Sequence, residues 1–179
     1  MTELDSANSR RSVESVGSCK LNWVKEDSVP EDEFEDNVFE RYQSFLTILN
    51  SDEDLKKKCK TVEQVRLHLK DDEEARIFMG ANGFVEALLL FLESAMLARN
   101  PMAEETGAMA LFNLAVNNNR NKEIMLASGV ISLLEDMISN SDSDGSATAL
   151  YLNLSCLEEA KSVIGSSQAV PFLVQILQG

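Results

Sequence analysis

The sequence predicts an all-α protein built as a repeat solenoid, and three observations carry that expectation. Leu111-Phe-Asn-Leu-Ala-Val and Tyr151-Leu-Asn-Leu-Ser-Cys repeat one phrase, and Val130-Ile-Ser-Leu-Leu and Val170-Pro-Phe-Leu-Val repeat a second, both at about 40 residues, a spacing typical of stacked helical units. Apolar residues make up 44% of the chain and aromatics only 6%, so the core material is Leu, Ala, Val, Met and Ile, which suits helix-on-helix packing. With 3 Pro and 8 Gly in 179 residues, few points interrupt a helix. A repeated helical unit cannot bury its apolar face alone, so neighbouring units cover it. The continuous surface that results is of a kind that binds rather than catalyses.

Residues 1–36 are rich in Ser, Asp and Glu and poor in large apolar side chains, and are expected to be disordered. Trp23 and Val24 are the apolar pair within them. Structure is expected from about Asn37, where Val38, Phe39, Tyr42, Phe45, Leu46 and Leu49 fall at helical spacing. Asn50-Ser-Asp stops that helix, with Ser51 as the expected cap of the next. The second helix runs to about Lys70 with Leu55, Cys59, Val62, Val65, Arg66 and Leu69 inward. A short helix follows at about Glu73–Gly80, with Gly83 relieving the turn after it. Phe84–Glu93 is an apolar helix striped by Val85, Leu88, Leu89 and Leu92. Arg99-Asn-Pro-Met connects to a long helix over Ala103–Val116, with Pro101 near its first turn.

The same order then recurs. A short helix ends at Ala127-Ser-Gly129, a second covers Val130–Ser139, and Asn140-Ser-Asp-Ser-Asp-Gly forms a polar loop. A third helix covers Ser146–Ser155. Another unit opens near Glu158, turns at Gly165-Ser-Ser, and places a helix over Val170–Leu177.

Net charge is −14, from 30 acidic and 16 basic side chains, which disfavours binding to a polyanion such as nucleic acid. Lys56-Lys57-Lys58 and Lys60 are the one dense basic cluster, and Asp52, Glu53 and Asp54 beside them mark a solvated helix face. Cys19, Cys59 and Cys156 have neither metal-ligand nor redox spacing and are expected as reduced thiols. The N-terminus has no apolar signal core, and the longest uncharged apolar run, Ala87–Leu92, is too short to span a membrane. The expected setting is the cytoplasm or nucleus. With one His and no catalytic motif around it, no catalytic residue, cofactor or metal is assigned.

Short helix, Gly turn, apolar helix, polar loop, long helix ending in Asn-Leu-Ala/Ser: this order resembles the armadillo repeat. Lys70-Asp-Asp-Glu-Glu-Ala-Arg-Ile-Phe-Met-Gly-Ala-Asn-Gly-Phe-Val-Glu-Ala and Glu105-Thr-Gly-Ala-Met-Ala-Leu-Phe-Asn-Leu-Ala-Val-Asn-Asn-Asn-Arg-Asn-Lys narrow it. They resemble the armadillo region of plant U-box ubiquitin ligases, and the similarity runs from about Val38 to Gly179. The resemblance implies a right-handed armadillo solenoid after an acidic, disordered linker over residues 1–37. It divides residues 38–179 into a degenerate first unit over 38–72, units over about 73–117 and 118–156, and an incomplete unit over 157–179.

In such solenoids the third helices line a concave groove, where an Asn often hydrogen-bonds the backbone of an extended peptide. Asn113 and Asn153 match that Asn, and His68 takes its place in the first unit. An amide suits the task because it offers both donors and an acceptor. The competing reading is that these side chains satisfy only local backbone or water. One turn earlier, where nuclear-import receptors of this class carry Trp, stand Gln64, Met109 and Ala149, so aromatic stacking on a basic peptide is not expected. Met109 is an adaptable apolar contact, either for a partner or within the core.

Two functional expectations follow. One is a protein-interaction module of the ubiquitin pathway that binds a substrate or partner segment in its groove. The other is the substrate-recognition part of a U-box E3 ubiquitin-protein ligase. No stretch before the repeats reads as a U-box, so a ubiquitin-conjugating enzyme is an expected partner only where a U-box is supplied elsewhere. An incomplete last unit would leave Val170, Phe172, Leu173, Ile176 and Leu177 uncovered, and either self-association or poor solubility is expected from that face.

Overall fold

The computed structural model describes residues 31–140 and 145–165, together with Pro171, Val174 and Gln178. The expectations for Cys19, Trp23, Val24, the loop over 141–144 and the apolar set Val170, Phe172, Leu173, Ile176 and Leu177 lie outside these residues. Among the described residues the elements are nine α-helices and no strand, so the all-α solenoid expected from the sequence holds. The chain divides into two units, residues 1–41 and 42–179. The described part of the first is the opening of α1 (Glu31–Leu49). That helix begins before the expected Asn37.

In the second unit, α2 (Leu55–Asp71) is capped by Asp54, whose Oδ1 accepts the Lys57 N–H at 2.8 Å. Ser51, expected in that role, stays in the connector: its Oγ donates to the Ile48 carbonyl at 2.7 Å and accepts the Glu53 N–H at 3.2 Å. A carboxylate one residue before the helix answers both the open N–H groups and the dipole, which a hydroxyl answers less well. Val62, Val65 and Leu69 of α2 are buried as expected, whereas Leu55, Cys59 and Arg66 are only partly covered.

Three-helix units then recur. The first holds α3 (Glu73–Ala81), α4 (Phe84–Leu97) and α5 (Pro101–Ala115). The second holds α6 (Asn119–Ala127), α7 (Val130–Asn140) and α8 (Gly145–Leu154), and α9 (Glu158–Gly165) opens the next. Asp72, Asn100 and Asn118 cap α3, α5 and α6 by accepting the N–H three residues on, at 3.1, 3.2 and 2.9 Å. Gly83 (φ 90°) and Gly129 (φ 83°) turn the chain from first to second helix in each unit, a left-handed backbone that a side chain disfavours. α4 continues past Glu93 to Leu97, because Ala95 adds one more fully buried position to its apolar stripe.

The long helices form one row, with α2 packed on α5 and α5 on α8, while α4 backs α5. Phe84, Leu88, Leu92, Leu111, Leu114 and Leu150 are fully buried between them. Gly107 sets how closely α4 and α5 approach: a Cβ there would stand 3.1 Å from Phe91 Cδ1. No single described helix is long and apolar enough to cross a membrane. α3 and α4 pass that test only as a pair, and they meet at 83°.

Two of the long helices, α2 and α5, are each tied to the unit after them by a side chain. Arg76 of α3 donates from Nη1 to the carbonyls of Leu69 (2.7 Å) and Lys70 (3.2 Å) at the end of α2. Asn121 of α6 donates from Nδ2 to the Leu114 carbonyl (2.9 Å) at the end of α5 and to the Arg76 carbonyl (3.0 Å). These helix ends carry carbonyls with no partner inside the helix, so the ties satisfy groups that would otherwise be buried unpaired.

Candidate interaction surface

The row of long helices repeats in register. Val62, Val65 and Leu69 of α2 match Gly107, Ala110 and Leu114 of α5 and Ala147, Leu150 and Leu154 of α8, and all nine are buried. The adjoining stripe of each helix is more open. It carries Gln64, Leu67 and His68 on α2, Met109, Phe112 and Asn113 on α5, and Ala149, Leu152 and Asn153 on α8. Positions three and four apart share one helix face, so these nine form a three-by-three field along the row.

The structure separates the expected site residues. Asn113 is only 7% exposed, and its Nδ2 donates to the Arg66 carbonyl at 3.0 Å. Its amide therefore ties α5 to α2. His68 lies against α1, its ring centroid 5.5 Å from that of Tyr42 in an edge-on arrangement and 5.9 Å from that of Phe45. Met109 is half-buried in the field. Asn153 is half-buried on α8, and no hydrogen bond to its side chain forms among the described residues. Of the two asparagines, only Asn113 has a side-chain hydrogen bond among the described residues.

Sequence reasoning passed over the residue just before each of these. Leu67, Phe112 and Leu152 share one register, and Leu67 and Leu152 are 56% and 50% exposed while Phe112 is half-buried. The signal was present: an apolar residue precedes His68, Asn113 and Asn153 each time. A core position and a half-exposed neighbour look alike in a run as apolar as Ala110–Leu114.

Charge sits at one end of the field. Arg66 clasps Glu63 through two hydrogen bonds, Nε to Oε2 at 2.5 Å and Nη2 to Oε1 at 2.9 Å. The bond from Arg66 holds the Glu63 carboxyl below its ordinary range, with burial opposing. The same bond raises Arg66, and Glu105 of α5 adds a smaller attraction. Exposed Glu105 stands one helical turn before Met109 and two before Asn113. At the α8 end, Ala149, Leu152 and Asn153 carry no charge. Among the described residues no group of three His, Cys, Asp or Glu side chains is placed to hold a metal ion.

No family model matches the chain, and no solved structure matches it. Three curated proteins of Arabidopsis thaliana do. U-box domain-containing protein 7 is 63% identical over 190 aligned positions, covering 94% of this chain and 24% of that protein. U-box domain-containing protein 6 is 60% identical over 99% of this chain and 25% of its own length. U-box domain-containing protein 45 is 58% identical over 93% of this chain and 23% of its own length. The chain thus spans about a quarter of the length of the curated relatives it matches. Over nearly its whole length, the chain is a homologue of one segment of the plant U-box domain-containing proteins.

Proposed function

We propose that the chain is a protein-interaction module of the ubiquitin pathway, an armadillo-type stack that takes a partner or substrate segment along α2, α5 and α8. The observation that carries this reading is Asn153: a half-buried amide without a described partner, next to the half-exposed Leu152, in a homologue of U-box proteins. An amide so placed offers the donors and acceptor that a peptide backbone needs, and the apolar neighbour supplies contact area. The test is a photo-crosslinking residue at Leu152 and, as control, at the exposed Leu97 of α4. Discrete adducts with plant protein at position 152, absent at 97, support the reading. Equal adducts at both positions, or none at 152, refute it.

A second reading rests on the quarter-length match: the same surface is the substrate-recognition segment of a larger U-box E3 ubiquitin-protein ligase. There a ubiquitin-conjugating enzyme is a further partner, engaged by the U-box and not by this surface. The readings part at the transcript. An in-frame U-box upstream of Met1 selects the ligase, and a native start at Met1 selects the separate module.

A further inference from the structure

We propose that Asn82 is a site of spontaneous deamidation, where the chain converts its own side-chain amide to aspartate and isoaspartate in the turn between α3 and α4. Three observations carry this. First, Asn82-Gly83 is the one Asn-Gly pair in the sequence. Asparagine is a thermolabile side chain, and a following glycine, with no Cβ, leaves its main-chain nitrogen unshielded. Second, Asn82 is exposed, and its amide is held by one solvent-facing bond, Nδ2 to the Phe78 carbonyl at 2.7 Å. Such a bond opens at little cost. Third, the Gly83 N–H, the nucleophile the reaction needs, has no acceptor among the described residues. At the matching turn of the next unit the Gly129 N–H donates to the Leu126 carbonyl at 3.2 Å. There Ser128, which has no side-chain carbonyl, stands in the place of Asn82. Only one of these two like turns can therefore react.

The step needs only the chain and water. The Gly83 nitrogen gives up its proton and attacks Cγ of Asn82. The new N–Cγ bond closes a five-membered imide, the Cγ–Nδ2 bond breaks, and Nδ2 leaves as ammonia. Water then opens the imide on either side. Cleavage at Cγ gives aspartate, and cleavage at the main-chain carbonyl gives isoaspartate, which adds one carbon to the backbone. Neither product can donate to the Phe78 carbonyl. Both put a carboxylate at the C-terminal end of α3, where the helix dipole opposes it. The Phe78 ring packs on Tyr42 with centroids 5.8 Å apart, and Leu46 lies 3.9 Å from where a Cβ on Gly83 would stand. The change therefore loosens the joint at which α3 and α4 meet these residues of α1.

The full chain is incubated folded at mildly alkaline pH, digested, and mapped by mass spectrometry. Isoaspartate is counted by methyl transfer from labelled S-adenosylmethionine through an isoaspartyl methyltransferase. The expected result is a gain of one mass unit in the peptide that holds Asn82. Conversion there is expected to be about tenfold faster than at Asn50 or Asn119, a barrier lower by about 1.4 kcal/mol. Both of those are exposed but precede Ser51 and Arg120. Asn82→Ser, patterned on Ser128-Gly129, is expected to keep the turn and remove the isoaspartate signal. Asn82→Asp is expected to lower the thermal midpoint by about 2–4 °C, and an unchanged midpoint overturns the loosening of the joint. Conversion at Asn82 only after unfolding in guanidinium chloride means that the fold shields the pair, and overturns the proposal. Conversion led by another asparagine, or an isoaspartate signal that survives Asn82→Ser, overturns it as well.

Discussion

A Cβ on Gly80 would lie 1.8 Å from Oδ1 of Asn121, so these two residues, on the first helices of successive units, fit only as this pair. The three atoms nearest that Cβ all belong to the Asn121 amide. The amide itself is held in place by its bonds to the Arg76 and Leu114 carbonyls. Gly80→Ala is therefore expected to destabilise the protein by about 1–3 kcal/mol as an overpacking change. In an Asn121→Ala background the obstruction is gone, and the same change is expected to stabilise by about 0.5–1 kcal/mol through helix propensity. Urea unfolding of the four-member cycle measures this, and a Gly80→Ala effect of the same sign in both backgrounds would refute the coupling.

Arg76 is 8% exposed and spans the joint between α2 and α3. Its Nη1 satisfies two carbonyls, while its Nε has no partner among the described residues. Arg76→Met keeps much of the packing volume and removes both charge-assisted bonds. A loss of about 1.5–3 kcal/mol is expected, with Arg76→Lys intermediate. Thermal unfolding that ranks Lys no better than Met would show that packing, not the carbonyl bonds, accounts for the loss.

The two asparagines of the field are expected to part in stability. Asn113→Ala breaks the bond to the Arg66 carbonyl and is expected to cost about 1 kcal/mol. Asn153→Ala breaks no described bond and is expected to stay within about 0.5 kcal/mol of the parent. Equal losses in chemical denaturation would mean that Asn153 is also a structural tie, and the surface would lose its open amide.

Glu63 supplies a pH test. The bond from Arg66 lowers its folded-state pKa, so its contribution is complete above the ordinary Glu value of about 4.3 and fades as pH falls through the lowered folded value. The Glu63 side chain is 45% exposed, so solvent screening keeps the contribution below about 1 kcal/mol. Glu63→Gln is expected to destabilise at neutral pH and to match the parent in strong acid. A stability gap of the same size at both pH values would exclude the ion pair as its source.

Most of the fold was legible in the sequence because two signals agreed. Apolar spacing placed the helices, and Asn, Asp, Gly and Pro marked their ends, as at Asn100-Pro101 and Ser128-Gly129. The first helix starts earlier than expected because a stretch rich in Ser, Asp and Glu and poor in large apolar side chains reads as disorder up to Asp36. The surface was only half legible. Register assigned Asn113 and Asn153 equal standing, and only contact with a helix 47 residues earlier distinguishes them. His68 took the matching position, but its aromatic neighbours on α1 came into view only with the packing.

The ties at the joints bear on how such a chain tolerates changes of length. Arg76 and Asn121 each reach back seven residues to the end of the preceding long helix, Leu69 in one joint and Leu114 in the next. From cap to turn glycine, Asp72 to Gly83 and Asn118 to Gly129, the two units are the same length. From Gly83 to Asn113 the first unit is six residues longer than the second is from Gly129 to Asn153. The extra residues lie in the second helix (14 against 11 residues) and at the start of the third, which opens 12 residues before Asn113 but eight before Asn153. A deletion between a long helix and its following tie would instead break a bond that no neighbour replaces. Over descent, insertions and deletions should gather on the loop side of each unit, while the stretch around each tie keeps its count even as its side chain changes from Arg to Asn.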